Sequence, residues 1–215
     1  MATLLAIVPV TALAQTAAVP AWDFTAAAGL FEHRSESQED PYGDYWNATW
    51  RAGASVGRYW TPHFKTEAEL ATTGEGRHYS QRFEAVPGSA TPLPYGVQES
   101  FRVTQGSARA VWQFFDNQWI HPYLLAGLSV DAVRKKTVAL EKFQFNGDPR
   151  LPGSRVRVVQ PRTEGPDTTL RAGLVAGGGA KLYFSSNVFA NTTLLVTRSM
   201  SSTSVSWVAG LGMDF

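Results

Sequence analysis

Apolar and polar residues alternate along eight stretches of this chain. In the last stretch, Ser204–Phe215, Val205, Trp207, Ala209, Leu211, Met213 and Phe215 fall on one side. Ser204, Ser206, Val208, Gly210, Gly212 and Asp214 fall on the other. Successive side chains of a strand point to opposite faces, so this pattern predicts a strand with one apolar face and one small or polar face. The same period recurs in Trp22–Glu32, Trp46–Trp60, Phe64–Thr73, Phe101–Phe115, Tyr123–Val133, Thr169–Phe184 and Val188–Thr197. Phe101–Phe115 is regular only in its second half, because Arg102 and Thr104 share the parity of Ala108, Ala110, Trp112 and Phe114. Val188–Thr197 is the weakest of the set. No long segment has the 3.6-residue period of a helix, and Gly and Pro punctuate the chain, so the expected class is all-β.

The connections sort into two kinds. Residues 61–63, 116–122 and 185–187 are short, and they alternate with 35–45, 75–98, 134–168 and 198–203. An even number of antiparallel strands of about ten residues, with short turns on one rim, is what a single-chain transmembrane barrel requires. The expected architecture is a closed eight-stranded antiparallel up-and-down transmembrane β-barrel over residues 22–215. Long extracellular loops are expected at 75–98 and 134–168, and both termini in the periplasm. Val133–Leu140 and Arg155–Gln160 also alternate, which predicts a hairpin within the second loop. Residues 1–14 read as a signal peptide without its basic n-region, and residues 15–21 as a periplasmic lead-in.

Trp22, Trp60, Phe64, Trp112, Phe114, Phe184 and Phe215 share the outward parity and sit at the strand ends joined by short turns. They predict an aromatic girdle at one membrane interface, where an amphipathic ring is at home. Trp46, Trp50 and Trp207 are candidates for the opposite girdle.

Charge follows the other parity. Arg51, Lys65, Arg109, Arg171 and Lys181 fall on the inward face with Asp23, Glu67, Glu69, Asp131 and Asp214. A soluble barrel would show the reverse. Eight strands leave an interior that side chains just fill. The predicted lumen charge network is Arg51, Lys65, Glu67, Glu69, Arg109, Asp131, Arg171 and Lys181. Relative height places Glu67 or Glu69 opposite Arg109, and Asp131 opposite Arg171. A neutral, filled interior implies a plug of ion pairs rather than an open pore.

On this pattern, the strand count and the Val-Ala-Gly-Leu-Gly-Met-Asp-Phe ending, the chain resembles the small eight-stranded outer-membrane barrels of the OmpA transmembrane-domain type. The resemblance implies residence in the bacterial outer membrane. It also implies contact with outer-membrane lipid and lipopolysaccharide, and recognition of the strand ending in Phe215 by the barrel-assembly machinery.

Composition narrows the function further. There are no cysteines, so thiolate chemistry is excluded. A formal net charge of +1 argues against nucleic acid as a partner. His63, His78 and His121 are too scattered for a metal site, so no metal and no cofactor are expected. The 134–168 loop carries Lys135, Lys136, Lys142, Arg150, Arg155, Arg157 and Arg162 against Glu141, Asp148 and Glu164. Its basic groups could pair with lipopolysaccharide phosphates. The first loop is acidic, with Glu36, Glu39, Asp40 and Asp44, but their spacing matches no calcium cage. His33-Arg34-Ser35 resembles the His-x-Ser pair of lipid A deacylases, yet parity points His33 into the lumen, away from lipid. The expectation is a monomeric, non-enzymatic structural or interaction barrel with no catalytic residue. The alternatives are a narrow channel for small solutes and a lipid A-modifying enzyme.

Overall fold

Alternating segments of this kind hold together only if every backbone donor and acceptor finds a neighbouring strand. The computed structural model describes residues 21–35, 46–84, 93–115, 119–140, 142–145, 155–159, 162–200 and 202–215. The proposed signal peptide, nearly all of the lead-in and the acidic 36–45 segment lie outside them. Eleven strands form: β1 (Trp22–Ser35), β2 (Trp46–Tyr59), β3 (Phe64–Thr73), β4 (Gly76–Glu84), β5 (Leu93–Gln113), β6 (Ile120–Ala139), β7 (Lys142–Phe145), β8 (Arg155–Val159), β9 (Arg162–Tyr183), β10 (Val188–Ser199) and β11 (Ser202–Asp214).

The main sheet runs β3-β2-β1-β11-β10-β9-β6-β5, and β5 returns to pair with β3. Every pairing is antiparallel. The barrel is therefore closed, with eight staves. The seam joins the first strand to the last, from Asp23↔Asp214 to Ser35↔Ser202. Beyond it, the Trp22 and Phe215 amides each donate to the other residue's carbonyl at 2.9 Å.

Much of the two segments expected as long loops is strand. β4 pairs with the upper half of β5, from Gly76↔Phe101 to Glu84↔Leu93. β6 and β9 stay paired up to Ala139↔Arg162, so Val133–Ala139, expected in the loop hairpin with Arg155–Gln160, instead continues β6, and Arg155–Val159 pairs as β8 with β7. Gly-Arg-His-Tyr-Ser-Gln-Arg-Phe-Glu, the sequence of β4, shows no apolar face. The backbone ladder can extend a strand beyond the apolar band, where neither face is required to be oily. β3 and β4 act as one bent stave. At the bend the Gly74 amide donates to the Trp50 carbonyl (2.9 Å), and the Val103 amide donates to Thr73 Oγ1 (3.0 Å).

The polarity is inverted relative to a water-soluble barrel. Lys65 and Arg51 are each 2% exposed, whereas Leu170 is 71% and Leu70 66% exposed. Leu30, Leu124, Leu128, Leu174, Leu194 and Leu211 also face outward. A continuous apolar surface of this size does not occur on an ordinary soluble monomer. The interior is not uniformly polar. Val111, Tyr123, Leu125, Val175 and Leu195 cluster on the β5–β10 wall. Phe31, Phe101, Val103 and Val133 pack nearer the extended end.

Interior rings need space on the facing stave. Phe189 is fully buried opposite Gly212 in register, and a Cβ on Gly212 would overlap its ring. Gly212→Val is expected to cost about 1–3 kcal/mol through overpacking. A urea series read by the mobility difference between unheated and heated protein measures it, and an unchanged midpoint would show that the ring has room to move.

Candidate functional site

β1 enters the barrel at Trp22, so Asp23 is its first inward side chain. Gly57 lies opposite in register, and a Cβ there would overlap Asp23 Oδ1. In the space this leaves, Asp23 Oδ2 accepts from Lys65 Nζ (2.5 Å) and Lys181 Nζ (2.6 Å). Lys181 Nζ also donates to the Tyr59 hydroxyl (2.8 Å), lies 3.9 Å above the centre of the Phe189 ring and reaches Asp214 Oδ1 at 3.6 Å. The Tyr59 hydroxyl accepts from Gln113 Nε2 (3.2 Å), and the Tyr183 hydroxyl donates to Asp214 Oδ2 (2.5 Å).

Lys65 links this cluster to a second one. Its Nζ also donates to Glu67 Oε2 (2.6 Å). Glu67 Oε1 accepts from Arg109 Nη2, and Arg109 Nη1 lies 2.9 Å from Glu69 Oε2. That oxygen accepts from Arg51 Nη2 as well (2.8 Å), and Arg51 Nη1 donates to Ser206 Oγ (3.2 Å). Asp214, Lys181, Asp23, Lys65, Glu67, Arg109, Glu69 and Arg51 thus form one chain in which sign alternates at every step.

The structure brings together Arg51, Lys65, Glu67, Glu69, Arg109 and Lys181 of the predicted network. Arg109 meets both candidate glutamates, and Glu67 is its register partner. Asp131 and Arg171 do not join. They are opposite in register, but no ion pair connects them among the described residues. Gln105, across the other strand boundary, donates from Nε2 to Asp131 Oδ1 at 2.8 Å and satisfies the carboxylate first. Parity set Asp23 and Asp214 on the inward face, but the predicted network omitted them, along with Tyr59, Gln113 and Tyr183, and the two carboxylates carry the lower half of the chain. Tyr59 and Tyr183 are the last inward positions of β2 and β9 and already lie within the alternating stretches Trp46–Trp60 and Thr169–Phe184, but a network drawn from charged residues alone passed over them.

Beside the network lies a cavity of about 30 Å3, bounded by Lys65, Glu67, Glu69 and Arg109 on one side and Val111, Leu125 and Leu195 on the other. It holds about two water molecules. His33 is buried and faces the lumen, with ring contacts to Phe31 (6.1 Å) and Phe101 (5.1 Å), so it points away from the outer face. No cluster of potential metal ligands occurs among the described residues.

The seven girdle aromatics all lie at the turn end. Trp22, Trp60, Trp112, Phe114, Phe184 and Phe215 are exposed, while Phe64 is half-buried against Trp112 at 6.4 Å. Arg58 lies over the rings of both Trp60 (4.4 Å) and Trp22 (5.5 Å). Phe115 and Trp119, exposed in the β5–β6 connection, add to the same rim. Trp50 and Trp207 flank Leu30 in register, higher on the wall.

No protein-family model matches the chain, and no curated protein matches it. Among solved structures it is similar to Neisserial surface protein A, at 13% identity over 91% of this chain and 97% of that one, with a TM-score of 0.51. It is also similar to the attachment invasion locus protein Ail of Yersinia pestis (13% identity, 90% and 98%, TM-score 0.49). A third is the N-terminal barrel domain of OprF from Pseudomonas aeruginosa (16% identity, 89% and 97%, TM-score 0.47). The fold is that of the small eight-stranded outer-membrane barrels. Inside the closed barrel each ion depends on its neighbours for compensation, and the network supplies most of it, although Asp214 Oδ1 and Arg109 Nε have no hydrogen-bond partner among the described residues.

Asp23→Asn therefore leaves two buried ammonium groups without their shared carboxylate. It is expected to destabilise the folded barrel by about 3–5 kcal/mol. Asp131→Asn, which breaks no ion pair, is expected to cost about 1 kcal/mol. Urea unfolding of the lipid-reconstituted protein compares the two. Equal losses would remove the special status of Asp23.

Proposed function

We propose that this chain is an integral protein of the bacterial outer membrane, with both termini in the periplasm and the extended end at the cell surface. Its role is structural and interactive: a sealed, non-enzymatic, monomeric barrel that presents the β4–β5 and β7–β8 hairpins outside the cell. The observation that carries this reading is the inverted polarity, with an ion network buried inside and a leucine-rich surface outside. Only a hydrocarbon surround makes that arrangement favourable.

Three further features support it. Short turns and seven aromatic residues coincide at one rim, as at a periplasmic interface. The alternating-sign chain lies within the barrel, and the cavity beside it has room for about two waters, which supports a filled rather than an open interior. The apolar band on β6 runs from Ile120 to Ala132, roughly 30 Å for a strand tilted by about 40°. Its partners are outer-membrane lipid and lipopolysaccharide. β11, ending beside Phe215, is the segment offered to the barrel-assembly machinery.

The chain lacks cysteine, which makes the topology directly testable. A single cysteine at Phe83, in β4, is expected to react with a membrane-impermeant maleimide on intact cells. One at Ser186, in the β9–β10 turn, is expected to react only after the outer membrane is permeabilised. The opposite result would invert the barrel. In planar bilayers the purified protein is expected to show no stable conductance, and a reproducible conductance would favour the narrow channel instead.

A further inference from the structure

We propose that Arg102, Arg134 and Lys136 form a binding site on the outer wall for the phosphate of a lipid headgroup, and that its occupant is the phosphorylated glucosamine of lipid A. The identity of the lipid rests on the topology proposed above, which sets the extended end in the outer leaflet. The site itself rests on geometry.

Arg102 on β5 and Arg134 on β6 are direct partners in register. Both are exposed, and both take the outward parity of the leucine surface. Like charges directly opposite across an antiparallel pair are destabilising, and their Cβ atoms are only about 4.5–5.5 Å apart. Lys136 follows on the same face of β6, opposite Ser100. Solvated basic residues are ordinary on a surface, but solvation does not account for two arginines set head to head.

The carboxylates that could neutralise the pair are engaged elsewhere. Glu75 pairs with Arg77 (3.5 Å), Glu99 with Lys135 (2.9 Å) and Glu164 with Arg162 (3.1 Å). Asp167 takes the inward parity, opposite Lys135. No side-chain hydrogen bond or ion pair involves Arg102, Arg134 or Lys136 among the described residues. Two guanidinium forks and an ammonium therefore share one outward patch with no carboxylate partner among the described residues.

The position matches a headgroup. On β6 the outward residues are Leu124, Ala126, Leu128, Val130 and Ala132, and Arg134 is the next. Leu170 lies across the strand boundary, opposite Ala132. A lipid whose chains lie on Leu128, Val130 and Leu170 brings its phosphate level with Arg134. Arginine binds phosphate through parallel N–H donors, and two such forks with a third cation suit a phosphomonoester better than a singly charged diester.

The test uses purified full-length barrel in mild detergent, incubated separately with diphosphorylated lipid A, with the same lipid stripped of phosphate, and with phosphatidylglycerol. Retained lipid is counted by mass spectrometry. Diphosphorylated lipid A is expected to be retained, and the dephosphorylated form and phosphatidylglycerol are not. An Arg102→Gln/Arg134→Gln double variant is expected to lose retention by about tenfold, while Arg77→Gln retains lipid normally. Each variant is first shown to keep its heat-modifiable mobility, which separates loss of binding from loss of fold. Equal retention by the double variant would overturn the site, and equal retention of phosphatidylglycerol would overturn the lipid A assignment. Either failure is distinguishable from an inverted topology, which the cysteine labelling reads independently.

Discussion

Pairing the first strand with the last creates the interior, and everything inside the barrel answers to that closure. Once Asp23–Ser35 is zipped to Ser202–Asp214, every second side chain of eight staves points into a cylinder that side chains just fill. An ion left unpaired there costs several kcal/mol, and no bulk solvent is at hand to relieve it. The alternation of sign from Asp214 to Arg51 is the response to that constraint. Each interior cation of the chain touches at least one carboxylate, and Asp23 and Glu69 each serve two cations.

Closure also explains why the wall is divided. The charged chain draws three residues from β3 and one each from β1, β2, β5, β9 and β11, while β5, β6, β9 and β10 supply Val111, Leu125, Val175 and Leu195. Centring the ions on β3 and its neighbours lets most charges find opposite partners within hydrogen-bond reach. The apolar residues Val111, Leu125 and Leu195 line the same small cavity as Lys65, Glu67, Glu69 and Arg109. Glycine enters where two bulky groups share one level: Gly57 beside Asp23, and Gly212 beneath Phe189.

Strand parity was fully legible in the chain, because a lipid-facing wall forces period two on every stave that crosses it. The fold, the inward charges, the aromatic rim and the contact of Arg109 with Glu67 and Glu69 all follow from parity and chain order. What parity does not encode is reach. It set Asp131 opposite Arg171 correctly, but it could not say that Gln105 would occupy the carboxylate. It did not reveal that Asp23 would gather two lysines, since Lys65 and Lys181 come from distant staves. Nor did it reveal β4 or the upper part of β9, and it read the alternation of Val133–Leu140 as part of a loop hairpin rather than as the continuation of β6. Beyond the apolar band neither face must be oily, so a strand there can be held by its backbone ladder without a periodic trace, as β4 is.

The two rims handle positive charge in opposite ways. At the turn end Arg58 is sandwiched between Trp22 and Trp60, so ring faces of the protein itself stabilise its guanidinium. At the extended end Arg102 and Arg134 face one another with neither ring nor carboxylate between them. A chain that links eight interior ions in sequence has the means to place a glutamate beside this pair too, as it does for Lys135 with Glu99. Leaving the pair open costs stability in the isolated barrel and favours whatever anion the surrounding layer supplies. The asymmetry between the rims is thus a difference in what each demands of its neighbours: one is complete in itself, and the other is completed from outside.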